Sequence, residues 1–265
     1  MDLGLSEKRA FVLAASQGLG KAVATELVRD GASVIIASRN TDRLTTAVKE
    51  IRQETGCEAD AIDYVVCDLD DEDGIRTASR EAIDQLGGLD ILVTNHGGPQ
   101  TSRFPDLSIE EFDNGYQSVL RSTIIACEEC LPELQKAEGT ITNLVAASAL
   151  EPSASGVIGN VFRPGIYGLS KVLAEEYGDD GIRVNCVAPR GVTSNRIEEK
   201  IEALAEREGI TETQALERRT DELALDELGQ PEEFARTAVY VASPAADYLT
   251  GAVIPIDGGW HRHAF

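Results

Sequence analysis

Short apolar segments alternate with helical segments along the whole chain, and this alternation restricts the possible folds more than any other feature. The apolar segments are brief, rich in β-branched residues and bounded by Gly, Asn or Asp, which is typical of strands: RAFVLAAS, ASVIIAS, DYVVCD, DILVTN, TITNLVA, RVNCVAP and AVIPIDG. Helical windows lie near residues 18–30, 41–54, 71–86, 109–137, 156–178 and 231–243. Strands that alternate with helices are joined by right-handed crossovers into a parallel sheet. The sequence therefore predicts an α/β fold with a doubly wound parallel sheet of about seven strands and a ligand site at their carboxyl ends.

The length of 265 residues suits a single domain over residues 1–265. Thr41 and Ser108 stand at the starts of helical windows and are predicted to cap them. Residues 193–230 form a charged helical segment between the last two strands. Because this segment lies beside the expected ligand site, it is predicted to be a lid.

The charge balance is strongly acidic, with 46 Asp and Glu against 24 Lys and Arg and a net charge of −22. Such a charge repels nucleic acid and anionic membranes, so neither is expected as a partner. Few of the basic residues are lysines, a composition that resembles proteins of salt-loving microbes; an acidic cytosolic protein is the alternative. The chain shows neither a secretory signal nor an apolar run of roughly 20 residues, so a cytoplasmic location is expected.

The five cysteines do not indicate a disulfide framework, because their number is odd and their spacing irregular. Cys127 and Cys130 form a C-x-x-C pair within an amphipathic helical window that has no second pair. We expect buried thiols there rather than a redox or metal site. His261 and His263 near the C-terminus supply too few ligands for a metal ion, and no metal is predicted.

A glycine-rich turn, AASQGLGKA, follows the first predicted strand and opens the first helix. Glycines in this position let the backbone approach a pyrophosphate at the helix N-terminus, where N–H groups and the helix dipole favour anions. Within this turn, the predicted cofactor-binding residues are Ala14, Ser16, Gln17, Gly18, Leu19 and Gly20.

The residues after the second predicted strand, Ser38 and Arg39, bear on the choice of nucleotide. An acidic residue there would bind the ribose 2′-hydroxyl of NAD, whereas a Ser–Arg pair suits a 2′-phosphate, because guanidinium offers a planar set of donors. The sequence thus favours NADP(H) over NAD(H), with NAD(H) still possible. The alternative is that Arg39 is a solvated loop residue.

Four further segments, together with this turn, resemble the short-chain dehydrogenase/reductase family, a group of Rossmann-type proteins. The segments are CDLDD, TNHGG, NCVAPRGVTS and GQPEEFARTAVYVASPAADYLTGAVIPIDGGW, and the resemblance covers essentially the whole chain. Ala14 stands where that family has its first Gly, and Arg190 where it usually has Gly. The resemblance implies that further residues line the nucleotide: Asp68, Leu69, Asn95, His96, Gly97, Pro189 and Val192.

The reaction centre departs from that family. There, a Ser polarises the substrate carbonyl, a Tyr transfers the proton, a Lys lowers the pKa of the Tyr, and an Asn anchors a water relay. Counting back from GLSKVLAEE, the Tyr position is Gly159 and the Lys position is Arg163. The Ser position is Ala146 and the Asn position is Val119. All four usual residues are absent.

Ser148 and Arg163 are the candidate catalytic residues. If the strand continued, Ser148 would share a face with Ala146 about 7 Å further on. Arg163 can hold ribose hydroxyls or polarise a carbonyl, but arginine is effectively never deprotonated and cannot donate the proton. Tyr167 would lie about 12 Å from the Tyr position and is expected to pack in the core. Open alternatives for a catalytic role are Tyr116, Gln117 and His96, the last as a proton relay.

Three functions remain consistent with the residues. The first is a divergent NADP(H)-dependent oxidoreductase of a small carbonyl or alcohol, similar to 3-oxoacyl-carrier-protein reductases with Arg at the Lys position. The second is an inactive nucleotide-binding or scaffold protein of the same fold. The third, less favoured, is non-redox chemistry of the halohydrin-dehalogenase type, whose members keep the Ser and Tyr that this chain lacks. By analogy with the family, a homodimer or homotetramer is expected.

Overall fold

The computed structural model describes residues 2–99, 102–154 and 156–262, apart from the side chains at 195 and 196. Its strands are β1 (Arg9–Val12), β2 (Ser33–Ser38), β3 (Ile62–Val66), β4 (Ile91–Thr94), β5 (Thr140–Leu144), β6 (Arg183–Pro189) and β7 (Val253–Ile256). All pairings are parallel, and the sheet order is β3-β2-β1-β4-β5-β6-β7. The predicted doubly wound sheet is confirmed, and each strand lies within its predicted apolar segment except β3, which begins one residue earlier, at Ile62.

The described α-helices cover the connections between strands. They are α1 (Gly18–Arg29), α2 (Thr41–Thr55), α3 (Glu72–Leu86), α4 (Ile109–Gly115), α5 (Ser122–Ala137), α6 (Val157–Glu176), α7 (Asn195–Glu208), α8 (Glu212–Thr220) and α9 (Pro231–Ala242). A π-helical turn, Tyr116–Arg121, joins α4 to α5. The charged segment 193–230 contains α7 and α8, as its helical pattern predicts.

Helices cover both faces of the sheet, and side chains alternate between the two resulting cores. Val12 of β1 packs in one core with residues of α1, α2 and α9, whereas the preceding Phe11 packs in the other with residues of α3 and α5. Successive strand residues point to opposite faces, so a strand covered on both sides must be apolar at consecutive positions. This requirement explains why the central strands are unbroken apolar runs.

The chain adds strands outward from β1 to β3 and then returns to place β4 on the other side of β1. The loops that leave β1 and β4 therefore diverge, and a crevice opens at the carboxyl ends of these two strands. The predicted glycine-rich turn and the TNHGG segment both lie at this crevice.

One predicted helix cap is confirmed and another is displaced by one residue. Ser108 caps α4, and its hydroxyl accepts a hydrogen bond from the Glu111 N–H at 3.2 Å. Helix α2 is capped by Asn40 rather than by Thr41, because the Asn40 Oδ1 accepts from the Arg43 N–H at 2.9 Å. Thr41 is the first helical residue. Of the helices that the structure describes, none is long and apolar enough to cross a membrane.

Candidate functional site

Two adjoining cavities lie at the carboxyl ends of the strands. The inner cavity, beside β4, β5 and β6, measures about 340 Å³ and is lined by residues that include Asn95, Ala146 and Pro189. The outer cavity, beside β2 and β3, measures about 600 Å³ and is lined by residues that include Ser38 and Asp68. Both are also lined by Ala14, Gln17, Gly97 and Gly98, so they form one continuous cleft.

The first turn of α1 divides the cleft. Gly18 has a φ of +59°, and Gln17 precedes α1 without capping it through its side chain. The uncapped N–H groups of the first turn, together with the helix dipole, favour an anion at this point. The predicted residues Gln17, Gly18 and Leu19 line the inner cavity here, and Ser16 lines the outer one.

Gly20 lies behind the cleft and fixes how closely α1 approaches β4. A β-carbon on Gly20 would come within 2.7 Å of both the Ala14 carbonyl oxygen and the Asn95 Nδ2. The Asn95 Nδ2 itself donates to the Ala14 carbonyl at 3.1 Å. Among the predicted cofactor-binding residues, Gly20 therefore positions the cleft rather than lining it.

Ala14 is the point of strain in this turn. Its φ is +48°, in the left-handed region where a residue with a β-carbon is disfavoured. Ala14 stands where related sequences were expected to have Gly, so the turn keeps the conformation of a glycine without having one.

The outer cavity brings two basic side chains to the end of β2. Ser38 and Arg39, predicted from the sequence, line it together with Arg43 from the first turn of α2, which the sequence analysis missed. The Ser16 hydroxyl donates to the Ser38 hydroxyl at 3.0 Å. Arg43 lies in the first turn of the helix that begins directly after residues 38–40, and this position was the signal that could have identified it.

Acidic residues at the other side of the outer cavity temper this positive charge. The predicted cofactor-binding residues Asp68 and Leu69 line it, and so does Asp70. Burial and the charge of Asp68 raise the pKa of the Asp70 carboxyl, and the positive charge of Arg39 opposes them. The outer cavity thus has a basic rim at α2 and an acidic rim after β3.

The inner cavity contains both candidate catalytic residues, Ser148 and Arg163, together with Ala146. Strand β5 ends at Leu144, and Ser148 lies in a 3-10 turn formed by Ala147–Ala149. The spacing that Ser148 would have on a continued strand therefore does not apply, because the chain turns rather than extends after β5. Ser148 is half-buried and still faces the cavity.

Gly159 and Arg163 lie one turn apart on α6, and the Arg163 side chain occupies space that a side chain at position 159 would need. A β-carbon built on Gly159 would lie 2.7 Å from the Arg163 Nη1 and 3.2 Å from its Cζ. The guanidinium therefore lies against the bare backbone of Gly159. Where related proteins were expected to carry a tyrosine ring, this chain has part of an arginine side chain.

Tyr167 packs in the core, as predicted. Its hydroxyl donates to the Ala146 carbonyl at 2.7 Å, and burial raises the pKa of the phenol. Val119, at the expected Asn position, is fully buried in a small cluster that also contains Ile166 and Cys186. The Val119 side chain has no polar atom and therefore cannot hold a water molecule by hydrogen bonding.

The three open catalytic alternatives are placed differently. His96 is buried and lines the inner cavity, and its Nδ1 lies 3.4 Å from the Gly97 carbonyl oxygen. The Tyr116 ring lies 5.9 Å from that of Phe162, and the Gln117 Nε2 donates to the Leu69 carbonyl at 3.5 Å. Of these three, His96 is the one that the described residues place at the inner cavity.

The predicted buried thiols are found in α5. Cys127 and Cys130 are both buried, and desolvation raises the pKa of Cys130 to about 12. Within the described ranges there is no group of three or more His, Cys, Asp or Glu side chains that could hold a metal ion. The His261 Nδ1 lies 2.7 Å from the Asp257 Oδ2, and His263 lies outside the described residues.

Three basic residues of the site were not predicted from the sequence. Arg190 follows β6, Lys200 lies on α7, and Arg219 lies on α8, and all three line the inner cavity. Lys200 and Arg219 come from a segment so rich in charges that its pattern did not show which of them face inward.

A doubly wound sheet, a cleft at its switch point and a glycine-rich turn ahead of α1 define a Rossmann-type α/β domain. Residues 13–261 match the family model described as enoyl-(acyl carrier protein) reductase. The chain belongs to the short-chain dehydrogenase/reductase family.

Several relatives extend over nearly the whole chain. The NADPH-dependent reductase BacG of Bacillus subtilis is 28% identical over 96% of this chain and 98% of its own length. The structure of L-sorbose reductase from Gluconobacter frateurii with NADPH and L-sorbose has a TM-score of 0.93 at 26% identity, covering 99% of this chain and 100% of the other. A short chain oxidoreductase from Pseudomonas aeruginosa, which contains an atypical catalytic center, has a TM-score of 0.89 at 31% identity, covering 98% and 99%.

Proposed function

We propose that this protein is an NADP(H)-dependent oxidoreductase that acts on a small carbonyl or alcohol substrate without the usual Ser–Tyr–Lys centre. The observation that carries the proposal is the continuous cleft, with Ser38, Arg39 and Arg43 at one end and Ser148 and Arg163 at the other. Relatives that bind or use NADPH support the choice of cofactor.

The residues of the cleft fit such a dinucleotide. Arg39 and Arg43 would hold the 2′-phosphate, since paired guanidinium groups suit a phosphate dianion. The first turn of α1 at Gln17–Leu19 would hold the diphosphate, for which the close approach permitted by Gly20 leaves room. Asp68 and Leu69 would adjoin the adenosine, and Asn95, Gly97, Pro189 and Val192 would line the path to the reacting end.

When bound, the nicotinamide supplies hydride transfer, and the protein must position the substrate and manage charge and proton. Arg163 would polarise the substrate oxygen and stabilise the negative charge that develops on it. Because arginine stays protonated, the proton must come from another group or from water. Ser148, which lines the same cavity, would donate a hydrogen bond to the same oxygen. His96, at the inner cavity, is the remaining candidate for a relay.

The vacant tyrosine and lysine positions favour a second candidate, a protein that binds NADP(H) without turnover. Substrate positioning alone supports hydride transfer at a reduced rate, so the two candidates differ in activity and not in binding. Halide-releasing chemistry is the third, and Gly159 and Ala146 argue against it because that enzyme class keeps Tyr and Ser.

Turnover separates these candidates. Purified protein would be incubated with NADPH and a panel of small aldehydes, ketones and oxo acids, and absorbance at the reduced-nicotinamide band followed. Oxidation of NADPH that depends on both substrate and Arg163 supports the oxidoreductase. NADPH binding with no oxidation across the panel would support the non-catalytic candidate, and halide release from a halohydrin would support the third.

We further propose that the protein assembles as a dimer or tetramer and that 193–230 acts as a lid. Val161 and Val172 are about half-exposed on α6, and a spacing of eleven residues puts them on one face of the helix. Exposed apolar side chains on one helix face favour burial against another subunit. Helices α7 and α8 carry residues to the inner cavity, which supports closure over a substrate.

A further inference from the structure

The inner cavity is basic in a protein that is otherwise strongly acidic. The described residues that line it include Arg163, Arg190, Lys200 and Arg219, and none of those described is Asp or Glu. In a chain with 46 acidic and 24 basic residues, a cavity whose charged lining residues are all basic differs in charge from the average surface of the protein. Such a lining attracts anions and concentrates them where hydride transfer is proposed to occur.

Arg190 is held in a fixed position at this cavity. Its backbone N–H donates to the Ile256 carbonyl at 3.0 Å, and its Cζ lies 3.8 Å from the centre of the Trp260 ring. The Glu222 carboxylate lies 3.0 Å from Nη2 and neutralises part of the charge. Because a guanidinium has five N–H donors, one carboxylate leaves others to bind a ligand.

Arg219 lies close to Arg190 and is incompletely satisfied. Its Nε is buried and, among the described residues, has no hydrogen-bond partner. Burial, and then the positive charge of Arg190, lower the pKa of the Arg219 guanidinium, while Glu222 opposes both effects. Two like charges that are brought together and partly desolvated are unfavourable, and the single carboxylate of Glu222 balances only one of the two, so a net positive charge remains for a further anion.

The positive charge of Arg190 lies away from the proposed site of the nucleotide diphosphate. The diphosphate is proposed to lie at the end of β1, and Arg190 follows β6, which is three strands away in the order β1-β4-β5-β6. At about 4.8 Å per strand, the two strand ends are about 14 Å apart. Ser148 follows β5, and Arg163 lies on α6. Both line the inner cavity, as Arg190 does.

We infer that the substrate is anionic: a small oxo or hydroxy compound whose carboxylate or phosphate is held by Arg190 and Arg219 while its carbonyl oxygen faces Arg163. Each arginine would present N–H donors to the anion, and paired oxygens on a planar or tetrahedral anion match that geometry. This inference rests on the proposed function and adds the substrate class to it.

Calorimetric titration at constant ionic strength tests the anion site itself. The probes are malonate and inorganic phosphate, with neutral malonamide as the control, added to protein alone and to protein saturated with NADPH. Malonate or phosphate should bind both forms, and malonamide should bind neither. The R190Q and R219Q substitutions should each weaken anion binding about tenfold or more, because each removes charge-assisted hydrogen bonds.

Two further variants keep the result interpretable. Arg218 lies beside Arg219 on α8 but is exposed and paired with Glu208, so R218Q should leave anion binding unchanged. E222Q removes the competing carboxylate from Arg190 and should tighten anion binding by roughly a few fold. Equal thermal unfolding of R218Q, R219Q and the parent protein shows that weakened binding is not caused by misfolding.

Contrary outcomes are distinct. If NADPH displaces malonate, and R219Q weakens NADPH, these arginines hold the cofactor diphosphate and the inference is wrong. The inference is also wrong if malonate and phosphate bind neither the protein alone nor the protein saturated with NADPH, even if NADPH binds and is oxidised with neutral ketones. Anion binding that R190Q and R219Q weaken, in a protein that does not bind NADPH, would instead leave the anion site standing and refute the proposed function.

Discussion

A side chain at position 159 would displace the guanidinium of Arg163 from its present position. The Nη1 of Arg163 lies 2.7 Å from the point that a β-carbon on Gly159 would occupy. In this chain the guanidinium thus fills the space beside the backbone that a side chain at position 159 would take.

Substitution of Gly159 by Ala is expected to displace the guanidinium and reduce activity. We predict that G159A lowers kcat by roughly tenfold, since it moves a charged group from the substrate oxygen, and leaves NADPH affinity little changed. Gly168 on the same helix is the matched control, because a β-carbon there meets nothing within 4 Å. G168A should keep kcat and stabilise α6 by about 0.5–1 kcal/mol. Equal kcat for G159A and the parent protein would contradict a role for Arg163.

The basic rim of the outer cavity is expected to select the cofactor. We predict that R39Q and R43Q each weaken NADPH binding about tenfold or more and leave NADH binding within a few fold, because only the former carries a 2′-phosphate. R236Q, an exposed arginine on α9, is the control and should change neither affinity. Equal weakening of both cofactors by R39Q and R43Q would mean that these residues hold a part of the nucleotide that the two cofactors share.

Relief of the strain at Ala14 is expected to stabilise the protein. Ala14 has a φ of +48°, which costs a residue with a β-carbon roughly 1–2 kcal/mol. Glycine removes this cost but adds chain entropy to the unfolded state, so A14G should raise the free energy of unfolding by about 0.5–1 kcal/mol. Denaturant unfolding measures the change. A14G that proves less stable than the parent would show that the methyl group contributes packing that outweighs the strain.

Asp90 is expected to make stability depend on pH in the acid range. It accepts from the Arg9 N–H at 3.0 Å and from the Arg9 Nε at 2.7 Å. Burial disfavours its ionised form, but the hydrogen bonds and charge of Arg9 outweigh burial and lower the pKa of Asp90. A lowered pKa gives stability that is complete above the unfolded value of about 4 and is lost as the pH falls through the folded value.

We therefore predict that D90N loses about 2 kcal/mol at pH 7 and that its deficit shrinks below about pH 4. Denaturant unfolding of D90N and of the parent protein at several pH values measures this difference. D60N, which removes an exposed loop carboxylate, should show no such deficit. A deficit for D90N that stays constant down to pH 3 would exclude the ionised form as its source.

The proposed assembly can be tested through the exposed face of α6. V172E places a charge on that face and should lower the mass found by sedimentation in molar salt. V66E changes a similarly exposed valine on β3 and should leave the mass unchanged. Because the chain has a net charge of −22, the parent assembly should strengthen as salt screens repulsion between subunits. A parent protein that is monomeric even in molar salt would rule out the dimer and the tetramer.

The fold was predictable because local pattern and global architecture agree. Strands buried on both faces must be continuous apolar runs, and amphipathic helices must cover them, so both signals are visible in one sequence. The cap of α2 was predicted one residue too late, at Thr41 instead of Asn40, because both residues are of types that cap helices. The apolar pattern continues through Val145 and Ala147, so the sequence left open whether the strand reaches Ser148, whereas the chain turns after Leu144.

The site was predictable only where a motif fixes the backbone. The glycine-rich turn and the end of β2 identified Ser16, Gly18, Ser38 and Arg39, all of which line the cleft. Arg219 was missed because a charged residue in a charged helix has no local signal for the direction in which it points. The space shared by Gly159 and Arg163 was also hidden, since sequence shows a missing tyrosine but not what fills its place.

Calorimetric titration of NADPH and NADH into the purified protein in high salt tests the central claim most directly. The account predicts micromolar binding with NADPH preferred by about tenfold or more, because the 2′-phosphate reaches Arg39 and Arg43. Binding of neither nucleotide would contradict the proposed oxidoreductase and leave a family fold used for another purpose.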